Sequence, residues 1–267
     1  MNSENFDVFI PVRTASVRLP KKHLLEINGQ PSLKILTERL KKAKKIRKII
    51  VCTTNSKSDD HLIEFLKDEN IEFFRGDEKD ILQRFLDAAK FFKTDVIIDV
   101  EGDKIYTDPY FVDKIVDEMQ KSNIDFIIGN DSNETFNPAN HLVHGFIPAG
   151  FRTTALERIC RLKNTKNNET GYKEFFLLPK LFKTKFLVFK ANQNLSKKVR
   201  LTIDYESDYV LAKKIFEKLG TDFNYEDVLD LFLKNPRLIE ITYKSIRQWE
   251  KNYRKSITDF SLKNKPS

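Results

Sequence analysis

The sequence predicts an α/β fold built on a mostly parallel, mixed central sheet with helices on both faces. Three observations carry that prediction. Short apolar runs alternate with helical patterns along most of the chain, the order that places parallel strands side by side through crossover helices. Within residues 78–92, Ile81, Leu82, Phe85, Leu86 and Ala89 form one apolar stripe, as a helix lying on a sheet requires. Clusters of charge also follow directly on apolar runs, where open α/β sheets gather their ligands.

Taken in order, the strands are expected at 6–12, 48–53, 71–74, 95–100, 125–129, 145–151, 185–190 and 199–203. Helices are expected between them at 32–45, 59–68, 78–92, 109–121, 153–162, 173–181 and 206–219. The polar, Asn-rich stretch 130–140 contains Pro138 and reads as a loop or the start of an excursion from the sheet. Residues 163–170 are similar in character.

A chain of 267 residues that is 40% apolar and 12% aromatic can bury a sizeable core. The expected organisation is one large domain over 1–241, with an excursion from the sheet within 130–182, followed by a basic helix or tail at 242–267. Cys52 and Cys160 lie far apart, each in a segment of regular structure, and read as reduced, buried thiols rather than a disulfide or zinc framework. Nothing near Met1 resembles a secretory leader and no apolar run could span a bilayer, so a cytoplasmic protein without a membrane partner is expected. The net charge of +8 is local: residues 41–48 carry +6 and the tail from Thr242 carries +5. Charge at a helix end and in a tail argues against a nucleic-acid partner, which would need a basic face interleaved with exposed aromatics.

The loop after the first strand, PVRTASVRLPKKHL, carries Arg13, Arg18, Lys21 and Lys22. A tight turn of backbone N–H groups with arginines and a lysine suits polyphosphate, although the glycines of a Walker loop are missing. Two more predicted strand ends carry carboxylates: EGD at 101–103 and ID at 203–204. Asp103 and Asp204 at one sheet edge could hold Mg²⁺ against nucleotide phosphates, since this hard ion takes few protein carboxylates and completes its shell with phosphate and water. Read singly, Asp103 is also a good turn residue and Asp204 a good N-cap.

The run IPVRTASVRLPKK at 10–22 resembles the signature of the cytidylyltransferases that activate acidic sugars, such as the CMP-Kdo and CMP-neuraminate synthetases and the spore-coat polysaccharide proteins grouped with them. The similarity continues through LEINGQP at 25–31, FRGDEKDILQRF at 74–85, EGD with Asp108-Pro109, and LTIDYESD at 201–208. It implies a nucleotide-diphospho-sugar transferase fold of Rossmann-like type and transfer of CMP from CTP to an acidic sugar with release of pyrophosphate. Residue by residue, it implies that Arg13, Ser16, Arg18 and Lys22 bind the triphosphate, with Lys22, Arg18 and Asp103 catalytic and Asp103 and Asp204 on Mg²⁺. Thr53, Thr54, Asn55 and Arg75 fall where the family contacts the nucleotide, and His141, His144 and Arg152 where the acceptor is expected. It further implies a homodimer, for which the apolar set Phe175, Phe176, Leu177, Leu178, Leu181 and Phe182 is the expected surface.

Three departures bear on activity. Lys21 stands where the family has glycine, Lys104-Ile105-Tyr106 replaces a proline-containing stretch, and Glu101 adds a carboxylate. A nucleotide-sugar-dependent glycosyltransferase would want an Asp-x-Asp motif, which this sequence lacks. A catalytically silent nucleotide-binding homologue is the other alternative.

Overall fold

The computed structural model describes residues 4–15, 18–165, 168, 170–178, 181–189, 195 and 198–256. The strands are β1 (Phe6–Pro11), β2 (Glu26–Ile27), β3 (Gln30–Pro31), β4 (Lys48–Thr54), β5 (Glu72–Gly76), β6 (Val96–Asp99), β7 (Phe126–Asn130), β8 (Ala149–Arg152) and β9 (Thr184–Val188). The helices are α1 (Ser32–Leu40), α2 (Asp60–Asp68), α3 (Ile81–Phe92), α4 (Pro109–Lys121), α5 (His141–Phe146), α6 (Thr153–Leu162), α7 (Glu206–Leu219), α8 (Tyr225–Lys234), α9 (Arg237–Glu240) and α10 (Tyr243–Ser256).

Seven strands form one sheet in the order β5-β4-β1-β6-β8-β7-β9, parallel except for β8. Residues of β1 alternate between its two faces: Val8 and Ile10 join a core with α1, α4 and α7, whereas Phe9 joins a second with α3 and α6. The predicted α3 stripe supplies Ile81, Leu82, Phe85, Leu86 and Ala89 to that second core. Its first turn is capped by Asp80, which accepts from the backbone N–H of Gln83 at 3.0 Å. Among the described residues, no helix is long and apolar enough to cross a membrane.

The reversed strand corrects one expectation. Because β8 runs against β6, Ala149 pairs with Asp99 while Arg152 pairs with Val96 at the opposite edge. There the Arg152 guanidinium donates to the carbonyls of Ile124 (2.9 Å) and Met119 (3.0 Å) and meets Glu4. Arg152 is therefore remote from any ligand held at the Asp103 edge.

Other boundaries differ for packing reasons. The run expected as a strand at 145–151 is split between α5 and β8. At Gly145, an added Cβ would lie 2.7 Å from the Leu201 carbonyl, so the helix end and the 199–203 segment pack backbone to backbone. Residues 199–203 are irregular rather than a strand. Residues Tyr172–Leu177 form a 3₁₀ turn, and Phe175 and Phe176 are fully buried on their own sheet. Phe176 stacks on Phe126 and Phe151 at centroid distances of 4.9 and 4.6 Å. This pair covers the parent sheet, so neither phenylalanine is free to join a two-fold pairing of chains.

Candidate active site

The cationic loop, Asp103, Asp204 and the C-terminal helix meet around one cavity of about 550 Å³. It is lined by Arg13, Arg18, Lys22 and Arg84 on one side, Asp99, Glu101, Asp103 and Asp204 across its floor, and His141, His144, Lys173, Trp249 and Tyr253 on the other. Ser16 lies outside the described residues.

Local backbone chemistry sets the loop. Thr14 donates from its N–H to Asp59 at 2.9 Å, and Asp59 also accepts from the hydroxyls of Thr14, Thr53 and Thr54. These bonds tie the loop to the end of β4 and, against the opposing effect of burial, hold the Asp59 carboxyl below its ordinary range. Lys21 adopts φ 52°, ψ 27°, so the left-handed backbone that a glycine would take without strain is kept at a cost of about 1 kcal/mol. The turn delivers Lys22 inward. Gly102 is needed where β6 leaves the sheet, since a Cβ there would lie 2.7 Å from Val12 Cγ2 and 3.1 Å from the His23 ring.

At the centre, the Lys22 ammonium donates to both Asp103 and Asp204, the latter at 2.8 Å. Burial alone would lower the Lys22 pKa, but the two carboxylates outweigh it and raise it. Burial would raise Asp204, and Lys22, Arg200 and Arg18 instead pull it well below the usual carboxylate range. Arg18, whose side chain is 41% exposed, reaches Asp204 at 2.9 Å. Asp204 comes close because the Ile203 N–H donates to the Asp103 carbonyl at 3.0 Å, an irregular-segment contact replacing the predicted strand.

The carboxylate set fits a hard cation. Asp103 Oδ1 is buried without a hydrogen-bond partner, and two aspartates already converge on one positive charge. No group of three or more His, Cys, Asp or Glu side chains among the described residues is arranged to hold a metal. Two carboxylates with room left for phosphate oxygens are the donor set Mg²⁺ accepts.

The nucleotide residues expected at the end of β4 do not line this cavity. Thr53 and Thr54 spend their hydroxyls on Asp59, and the Asn55 N–H donates to the Gly76 carbonyl at 2.9 Å. Arg75 is turned back onto the Thr54 and Ser56 carbonyls at 2.9 and 2.8 Å and onto Asp60 at 2.8 Å. Arg84, one helical turn into α3, lines the cavity instead.

On the far side, His144 pairs with the Gly129 carbonyl at 3.1 Å and stacks on Phe136. Burial, with Lys104 and Lys173 nearby, pushes its pKa down to about 3. His141 lies 3.3 Å from Arg200. Lys173 joins Glu101 at 2.6 Å and Asp99 at 3.1 Å, and the Tyr172 hydroxyl donates to Asp99 at 2.6 Å. Sequence reasoning missed Arg200, Lys173, Trp249 and Tyr253. The spacing Arg200, Asp204, Asp208 at successive i+4 steps is the one signal that points to any of them, and it works here through Arg200 bridging both aspartates.

A cytidylyltransferase family model matches residues 8–227. An uncharacterized protein of Methanocaldococcus jannaschii is 34% identical over 92% of this chain and 96% of its own length. The spore coat polysaccharide biosynthesis protein SpsF of Bacillus subtilis is 26% identical over 85% of this chain and 93% of its own. Among solved structures, a cytidylyltransferase from Leptospira borgpetersenii superposes with a TM-score of 0.76 at 28% identity, covering 89% of this chain and 97% of that one. Since the family model spans most of the sequence and the sheet, the cationic loop and the paired aspartates converge as described, the chain belongs to the cytidylyltransferase family.

Proposed function

We propose that the protein transfers CMP from CTP to an acidic sugar of the Kdo or nonulosonic acid type, releasing pyrophosphate, in the synthesis of a surface glycan. The observation that carries this reading is the Lys22 ammonium bridging Asp103 and Asp204 beneath the Arg13 and Arg18 loop, inside a cavity large enough for two substrates. The resemblance at 10–22 and the similarity to a polysaccharide biosynthesis protein support the acceptor class.

Arg13, Arg18 and Lys22 take the triphosphate and neutralise the charge that builds on departing pyrophosphate, where one fixed donor contributes about 3 kcal/mol. The acceptor hydroxyl, positioned from the His141 and His144 side, gives up its proton to water as its oxygen bonds to the α-phosphorus, and the bond from that phosphorus to the bridging oxygen breaks in line with its electron pair leaving on pyrophosphate. Asp103 and Asp204 would hold Mg²⁺, which when bound polarises the α-phosphate. For that, Lys22 exchanges its carboxylate partners for phosphate oxygens. No covalent enzyme intermediate is required. The test is Mg²⁺-dependent pyrophosphate release from CTP with Kdo, N-acetylneuraminate or neither. Release dependent on an acidic sugar is expected, and no release with either would overturn the acceptor assignment.

A further inference from the structure

Helix α10 begins beyond the stretch that matches the family, yet Trp249, Asn252 and Tyr253 line the cavity. Their i, i+3, i+4 spacing puts them on one helical face. That face is fastened to the machinery of the site. Ser245 donates to Asp208 at 2.9 Å, and Asp208 in turn accepts from Arg200 and from the N–H of Asp204. The Arg200 guanidinium lies 5.6 Å from the Trp249 ring centre, and His141 meets the indole edge-on at 4.3 Å. Trp249 and Tyr253 stack at 4.6 Å with planes 22° apart, and the Tyr253 hydroxyl donates to Glu174. Two aromatic rings are thus held in fixed positions on the wall of an otherwise heavily charged chamber.

We propose that Trp249 and Tyr253 form the wall that selects the acceptor. An acidic sugar lays C–H groups of its ring or exocyclic chain against the aromatic pair, whose electron-rich surfaces attract them. Its polar groups face Lys104, Glu101 and Asp99, whose Oδ1 is buried without a hydrogen-bond partner. Acceptor choice is then set by an element outside the family-matched sheet. This inference rests on the acidic-sugar reading above.

Trp249 is the chain's one tryptophan, so its emission reports on this wall directly. The full-length protein, saturated with Mg²⁺ and a CTP analogue methylene-bridged between the α- and β-phosphorus, is titrated with Kdo and separately with N-acetylneuraminate. Pyrophosphate release from CTP is measured in parallel. A saturable emission change with a sugar that also releases pyrophosphate is expected. Trp249→Ala should raise KM for that sugar about tenfold while KM for CTP stays within about twofold, and Trp249→Phe should restore it. Pyrophosphate release without an emission change, or an unchanged sugar KM in Trp249→Ala, overturns the wall and leaves the reaction standing. An emission change without pyrophosphate release supports the wall and rejects transfer to that sugar. Silence in both rejects both. The titration uses the parent protein, so its outcome does not depend on the variants folding.

Discussion

The two sides of the cavity are built by different rules. On the side proposed for the nucleotide, β1 and β6 are adjacent and parallel, in register from Phe6↔Val96 to Phe9↔Asp99. Short loops leaving those two strands bring Lys22 onto Asp103. On the side proposed for the acceptor, the wall is assembled from the loop before α5, α5 itself, the 3₁₀ turn at Tyr172–Leu177 and α10. Strand register fixes the first side, so a short motif specifies it. Only tertiary contacts fix the second, and such surfaces tolerate change in sequence while the chemistry beside them is retained.

Substitutions on the nucleotide side should therefore act on chemistry most severely. Asp103→Asn removes a converging carboxylate and should lower kcat about 10²–10³-fold with the fold intact by circular dichroism. Near-normal turnover at saturating Mg²⁺ would remove Asp103 from the reaction. Lys22→Met leaves Asp103 and Asp204 facing each other without the ammonium between them, and should cost about 3 kcal/mol of stability in the free protein. Mg²⁺ should then raise the Tm of Lys22→Met more than that of the parent, because the ion no longer displaces Lys22. Equal shifts would place the ion elsewhere.

The same contrast explains what could be read from the sequence. The sheet, α3 and the meeting of the cationic loop with Asp103 and Asp204 follow from apolar periodicity and from charge at run ends, both local signals. Arg152 is misplaced by sequence reasoning because reversal of β8 is a topological fact that its residues do not encode. Phe175 and Phe176 read as surplus apolar surface until the uncovered face formed by Phe126 and Phe151 is seen beneath them. Thr53 and Thr54 at one predicted strand end and Arg75 at the next have their polar groups claimed by Asp59 and Asp60. Trp249 and Tyr253 carry no local mark of a site, since an i, i+4 aromatic pair on a basic helix is equally a packing face.

Arg18 tests the nucleotide side more gently. Its side chain is 41% exposed and holds Asp204 alongside Lys22 and Arg200, so the fold does not depend on it. Arg18→Ala should weaken CTP about tenfold and CMP by less than about twofold, because the proposed reaction puts the guanidinium on the β- and γ-phosphates. Equal weakening of both nucleotides, measured by calorimetry, would move Arg18 away from the leaving group.

The smallest effect belongs to the side proposed for the acceptor, where His144 is half-buried beside Phe136 and near the charged groups Lys104, Glu101 and Lys173. Its pKa falls from 6.5 to about 3, chiefly through burial and then through the two lysines. Between those values the unfolded chain binds a proton that the folded chain refuses, so stability falls as the medium is acidified through 6.5. From pH 6.5 to 5.5 this one group should cost about 1 kcal/mol. His23, lowered to about 4 by burial and Lys22, adds to the slope in the same direction. Glutamine at 144 can still donate to the Gly129 carbonyl but does not titrate. Urea unfolding of His144→Gln at the two pH values should therefore show about 1 kcal/mol less acid destabilisation than the parent, with the His23 contribution left in place. An unchanged difference would mean that His144 takes up its proton in the folded protein, and that the acceptor wall is wetter and looser than the packing around Phe136 implies.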